Sequence, residues 1–154
     1  MKEIAIRPYD PGELPALLTV WEDAVRASHH FLAESDIVGI RPEVVQAFAC
    51  LEVWVAEAGG RAAGFMGMHG DMVEMLFIAP ESMGTGLGTA LLEKAQSLRE
   101  GRALRVDVNE QNPAALAFYL SRGFRVTGRS GVDGAGRPFP LLHLERVSRS
   151  GMDV

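Results

Sequence analysis

The sequence holds a single cysteine, Cys50, so no internal disulfide can form. Its place beside the apolar residues Val44, Val45 and Phe48 predicts a buried structural thiol, not a nucleophile. Positive charge is also scarce: 15 Lys and Arg against 20 Asp and Glu leave a net charge of −5. That balance argues against a nucleic-acid partner and mildly favours a cationic one. No apolar run approaches the ~20 residues of a membrane span. The opening MKEIAIRPYD has no signal-peptide core, so a membrane partner is not expected and the cytoplasm is the expected compartment. No His, Cys and carboxylate cluster has metal-ligand spacing, and no metal is expected. Internal repeats and low-complexity segments are missing too. With 154 residues, 47% of them hydrophobic, the chain suits one domain with a real core. We expect that domain over residues 1–147 and a flexible tail over 148–154.

What is present concentrates between residues 72 and 100. An apolar β-type run, 72–78, stops at Ala79-Pro80. Glycines follow at Gly84, Gly86 and Gly88, and an amphipathic helix begins at once, with Leu87, Leu91, Leu92, Ala95 and Leu98 on one face. Strand, glycine turn and helix start together make a place for an anion. The first helical turn has unpaired N–H groups and the positive end of the macrodipole, and glycines let a phosphate approach the backbone. The spacing excludes two familiar nucleotide sites. A P-loop needs Gly-Lys-Ser/Thr, and Gly86-Leu87-Gly88-Thr89 has no lysine. The dinucleotide fingerprint needs its third glycine where Thr89 stands. A plain strand-to-helix turn is the alternative for this stretch alone.

Taken in order, residues 3–8 alternate as a short strand. Asp10-Pro11-Gly12-Glu13 reads as a helix start with a capping box, and Leu14, Leu17, Leu18, Trp21 and Val25 form the buried stripe that follows. A second helix is expected from Pro42, carrying Val44, Val45 and Phe48. Strands at 53–57, 62–69 and 72–78 are joined by short turns, which implies an antiparallel meander. Beyond the glycine turn and its helix come a strand at 103–108, a helix opened by Gln111-Asn112-Pro113 and closed by Gly123, and strands at 124–129 and 139–146. The class is α/β, a mixed, largely antiparallel sheet flanked by helices. The strands on either side of the glycine-turn helix are joined by a crossover and should run parallel. A cleft between parallel strands, at their C-terminal ends, is where such sheets bind ligands.

Two segments carry a family resemblance. LFIAPESMGTGLGTALLEKA is similar to the coenzyme A signature of the GNAT acyl-CoA-dependent N-acetyltransferases. NEQNPAALAFYLSRGF is similar to their Asn-x-x-Ala-x-x-Phe-Tyr-x-x-x-Gly-Phe motif. VNEQN, FRVTGRS and VDGAGRPFPLLHL look most like a branch of small bacterial members, the YjaB-like branch. The resemblance implies a GNAT-type fold whose parallel strand pair splays to form the cofactor cleft. It implies acetyl-CoA as co-substrate, held by the backbone of Leu76, Phe77 and Ile78 along the pantetheine arm. The N–H groups of Gly84, Thr85, Gly86, Leu87, Gly88 and Thr89 would hold the pyrophosphate, and Asn112 would contact the arm farther along. Met83 stands where the family usually has Gln or Arg, so weaker cofactor binding is expected.

The implied reaction is direct attack of a primary amine on the thioester in a ternary complex, since no Cys is placed for an acyl-enzyme. Tyr119 would be the general acid, a phenol of pKa about 10 donating to a thiolate of about 8.5; a packed aromatic is the other reading. Glu74 would be the general base, against a solvent-facing charge on an alternating strand. A strand N–H near Phe77 or Ile78 would hold the oxyanion. His29 and His30 stand before Phe31-Leu32, where the family lines its acceptor pocket, and His29 and Phe31 are the expected substrate contacts. The same histidines could instead serve the last helix carbonyls. The acceptor is a small-molecule or peptide amine, and the protein a monomer or homodimer. A reading from another class is a non-catalytic acyl-CoA-binding or sensory module. Both would bind acetyl-CoA, so thiol release over an amine panel separates them.

Overall fold

The computed structural model of the chain describes residues 3–147; the expected flexible tail, 148–154, lies outside the described residues. The chain runs β1 (Ile4–Pro8), α1 (Leu14–Ser28), α2 (Glu34–Cys50), β2 (Glu52–Ala58), β3 (Arg61–His69), β4 (Met72–Ile78), α3 (Leu87–Leu98), β5 (Leu104–Asn109), α4 (Pro113–Ser121), β6 (Arg125–Ser130) and β7 (Leu141–Arg146). These seven strands form one sheet in the order β1-β2-β3-β4-β5-β7-β6. Every neighbouring pair is antiparallel except β4 and β5, which run parallel across the α3 crossover. The element order and the mixed sheet agree with the sequence reading.

Helices cover both faces. On one, α3 buries Leu87, Leu91, Leu92 and Ala95, each at most 1% exposed, against Met66, Met68, Val73, Leu104 and Val106. Their spacing at three and four residues puts them on one side of a helix. Each such leucine contributes about 1.5–3 kcal/mol of burial, and truncating Leu91 to Ala should cost about 2–5 kcal/mol. On the other face, Leu17, Trp21 and Val25 of α1 and Val44 and Phe48 of α2 pack on Val55, Phe65 and Met75. The start of α1 is set as its residues suggest. The Asp10 carboxylate accepts from the Gly12 N–H at 3.0 Å, and Glu13 accepts from the Asp10 N–H at 3.0 Å, closing the capping box around a short 3₁₀ turn at Pro11–Glu13.

Two expectations are corrected. The second helix does not begin at Pro42 but eight residues earlier, at Glu34, with Pro42 inside it. Proline removes one N–H, whose acceptor would have been the Val38 carbonyl. Val38 is 64% exposed, so water can take that place and the helix continues. Cys50 is exposed, not buried, and its thiol meets the Gln46 side chain at 3.4 Å. Two residues past Phe48 on a helix is roughly 200° around the axis, which turns Cys50 away from the core that Phe48 enters.

The feature that positions the site is where β4 leaves its neighbours. It pairs with β3 along its length, but with β5 only at Met72–Arg105 and Val73–Val106. Its register against β3 slips between Gly67 and Met68, whose partners are Met75 and Val73, leaving Glu74 as the extra residue of a β-bulge. A bulge bends and twists its strand locally. From Glu74 onward, β4 has one edge without a strand partner.

Candidate active site

The parted strands open a cleft of about 780 Å³. Its floor is the free edge of β4, with Leu76, Phe77 and Ile78 all lining it. An unpaired strand edge offers N–H and C=O groups in the alternation that an extended amide-containing chain can meet. Glu74 lines the same cleft and is exposed.

The glycine turn closes one end. After a second 3₁₀ turn, Pro80–Ser82, Gly84 and Gly86 take φ of 75° and 92°, and Gly86 is the residue before α3. Only glycine adopts these left-handed angles at no steric cost, so the backbone can fold over and present its amides outward. Among the described residues, no protein acceptor meets the N–H of Gly84, Thr85, Gly86, Leu87, Gly88 or Thr89; the first helical bond runs from Ala90 to the Gly86 carbonyl at 2.9 Å. Gly84, Gly86, Leu87, Gly88 and Thr89 line the cleft. Thr85 does not, and its hydroxyl donates back to the Ser82 carbonyl. The neutral Met83 also lines this end and is 62% exposed.

Two residues of α4 reach in from the β5 side. Asn112 caps the helix, its Oδ1 accepting from the Ala115 N–H at 3.2 Å, and is 7% exposed. With Oδ1 engaged, the amide nitrogen is the end left for the cleft, and among the described residues it has no protein acceptor. Tyr119 is also 7% exposed, packed edge-on between Phe118 and Phe124 at 5.2 and 5.4 Å. Its hydroxyl has no hydrogen bond to the described residues, yet none of their fully buried side-chain N or O atoms lacks a partner. The hydroxyl therefore opens on the cleft that Tyr119 lines. Burial pushes the phenol well above its ordinary range and keeps it protonated.

The end of α1 forms another wall. Ser28 donates its hydroxyl proton to the Ala24 carbonyl at 2.7 Å, so its oxygen must accept from His29 Nδ1 at 2.8 Å. That fixes the neutral tautomer with the lone pair on Nε2. Burial, then the neighbouring His30, hold the His29 pKa below its ordinary value. His29 lines the cleft, 6.4 Å from the Phe77 ring centroid to centroid. Phe31 does not line it; its ring stands between His29 at 5.4 Å and Phe139 at 5.7 Å.

Two charged lining residues escape the sequence reading. Asp107 of β5 faces the cleft, its carboxylate 2.7 Å from His143 Nδ1, and His143 Nε2 is 2.7 Å from the Ser130 hydroxyl. Its signal was parallel register: Val73 pairs with Val106, so Glu74 and Asp107 are the first residues past the end of the pairing. Arg122 enters from beyond α4, inside a motif where its position is unspecified. Among the described residues, no cluster of His, Cys, Asp and Glu could hold a metal ion, and no helix is long and apolar enough to cross a membrane.

A free strand edge, a row of outward amides and a protonated phenol at one cleft can hold a long phosphorylated thioester and protonate its leaving sulfur. Comparison with known proteins points the same way. A family model described as an acetyltransferase (GNAT) domain matches residues 44–139. Peptidyl-lysine N-acetyltransferase YjaB of Salmonella typhimurium is 40% identical over 137 residues, covering 88% of this chain and 92% of that protein. The solution structure of apo-form YjaB from Escherichia coli matches with a TM-score of 0.86 at 37% identity, covering 95% of this chain and 99% of that one. A PaiA N-acetyltransferase from Thermoplasma acidophilum, solved in complex with coenzyme A, shares the fold with a TM-score of 0.73 at 21% identity, over 94% of this chain and 99% of its own. With a domain model matched over more than half its length and a relative this similar along nearly all of it, the chain belongs to the GNAT family of acetyl-CoA-dependent N-acetyltransferases.

Proposed function

We propose that this enzyme acetylates the ε-amine of lysine in a peptide or protein, by direct attack in a ternary complex. The observation that carries the reading is the parting of β4 from β5 just past Val73–Val106, with carboxylates on both strands at the opening and the Tyr119 hydroxyl inside. The names of the relatives, peptidyl-lysine N-acetyltransferases, support the choice of acceptor. So does the charge at the opening. A lysine amine of pKa about 10.4 arrives as a cation, neutral only about once in a few thousand molecules at pH 7. Glu74 and Asp107 attract that cation, and Glu74, the carboxylate with no described ion-pair partner, takes its proton directly or through one water.

Acetyl-CoA supplies an acyl group activated as a thioester. Leu76, Phe77 and Ile78 align its amide arm along the strand edge, the amides from Gly84 to Thr89 hold its phosphates, and Asn112 donates to the arm. A β4 N–H near Phe77 or Ile78 faces the carbonyl oxygen as the amide C–N bond forms and the C–S bond breaks. Tyr119 gives its proton to the departing sulfur. His29 and the Phe31–Phe139 pair border the acceptor's path. The test is thiol release with acetyl-CoA over internal-lysine peptides, α-amines and polyamines, with mass spectrometry locating the acetyl group. Turnover on internal lysines is expected. Turnover confined to α-amines or polyamines would sink the peptidyl-lysine assignment, and none on any amine would favour a binding module.

A further inference from the structure

Arg122 lies just past α4 and reaches across to the first turn of α3. Its Nε and Nη2 donate to the Thr89 hydroxyl oxygen at 3.0 and 2.8 Å, and its Nη1 to the Ser121 hydroxyl at 2.6 Å. The guanidinium stacks on Phe118, 4.6 Å from the ring centroid. That ring in turn rests on Gly88, where an added Cβ would meet Phe118 Cζ at 3.1 Å. Glycine, ring and guanidinium thus form one packed stack whose outer end is a cation on the cleft wall.

The charge balance of this stack is incomplete. A guanidinium has five N–H groups, and three are used here on neutral oxygens. The other two meet no acceptor among the described residues, and no carboxylate there pairs with Arg122. Arg7, Arg26 and Arg105, by contrast, each have at least one. The half-buried cation also sits beside the positive end of the α3 dipole. Two like-signed features held together without a counter-charge are unfavourable until an anion joins them. Thr89, having accepted twice from Arg122, keeps its own hydroxyl proton to donate. Met83 at the same end brings neither charge nor N–H in its side chain.

We propose that Arg122 is the cationic clamp on the diphosphate of acetyl-CoA, binding it together with the Thr89 hydroxyl and the amides of the glycine turn. This rests on the acetyl-CoA reading of the cleft. The shared chemistry is a phosphate oxygen, which the diphosphate and the 3′-phosphate of coenzyme A both offer. The test is therefore calorimetry of wild type and Arg122→Gln with coenzyme A and with dephospho-coenzyme A, plus pantetheine followed by NMR shifts. We expect Arg122→Gln to weaken coenzyme A and dephospho-coenzyme A equally, by about 10–100-fold, with pantetheine unchanged. Met83→Arg added to Arg122→Gln should recover part of the loss.

Coenzyme A affinity within about twofold of wild type would overturn the proposal. So would an equal loss for pantetheine, which would mean damage to packing, or a loss for coenzyme A alone, which would move Arg122 to the 3′-phosphate. A wild-type protein that binds none of the three would instead overturn the acetyl-CoA reading itself.

Discussion

Glu74 and Asp107 face one cleft from neighbouring strands whose pairing ends one residue earlier, at Val73 and Val106. The two carboxylates differ in their company. Asp107 is held 2.7 Å from His143 Nδ1, whereas Glu74, on the bulge, has no described ion-pair partner. A base must be free to receive a proton and to turn toward the amine, and this favours Glu74. Glu74→Gln should lower kcat/KM for a lysine peptide by about 10²–10⁴ while calorimetric affinity for coenzyme A stays within about twofold. The deficit should shrink as pH approaches 10 and the amine loses its proton unaided. Full turnover of Glu74→Gln at neutral pH would end its assignment as base and turn attention to Asp107.

Tyr119 offers a second test, because its burial and its chemistry make separable predictions. Desolvation holds the phenol protonated, as a general acid must be, and its edge-on packing against Phe118 and Phe124 is kept by phenylalanine. Tyr119→Phe should reduce kcat about 10–100-fold with little change in stability or in coenzyme A affinity. A purely packing role would leave kcat alone. Unaltered turnover in that variant would retire the acid.

Much of this was legible along the chain, and the exceptions have a common cause. The order of elements follows from local patterns: the Leu87–Leu91–Ala95 stripe, the Asp10–Glu13 box and the Asn112-Pro113 start each act within a few residues. Pro42 misled because a proline's effect depends on whether solvent can reach the carbonyl it leaves behind, and Val38 is exposed. Cys50 misled because being near apolar residues in sequence is not being on their face of the helix. Asp107 and Arg122 lay beyond local reading altogether. One needs the register of a parallel pair formed across a helical crossover, and the other the docking of α4 against α3.

His29 gives a prediction about pH. Its folded pKa is depressed by burial and by His30, so the folded state binds a proton more weakly than the unfolded chain. The stability this represents is present above the unfolded value of about 6.5 and is lost as pH falls below it toward the lowered folded value. Urea unfolding at about pH 7.5 and about pH 5.5 should show lower stability at the acid end. His29→Gln should reduce that difference. An equally steep loss in the variant would place the effect on other groups.

The close approach of β3 to β4 yields a prediction with its own control. A Cβ added at Gly64 would stand 2.7 Å from Ile78 Cδ1 and 3.0 Å from the Phe77 carbonyl oxygen. The isoleucine tip can rotate away, but the carbonyl is backbone of β4 turned toward β3, and shifting it moves the strand whose opposite edge floors the cleft. Gly64→Ala should therefore cost about 1–3 kcal/mol, lowering Tm by roughly 3–10 °C, and should weaken coenzyme A binding because Phe77 and Ile78 must move. Gly39, exposed within α2 with nothing within 4 Å of an added Cβ, is the contrast. Gly39→Ala should raise stability by about 0.5–1 kcal/mol and leave coenzyme A affinity unchanged. Equal effects of the two substitutions on binding would mean that β4's position does not set the co-substrate's seat.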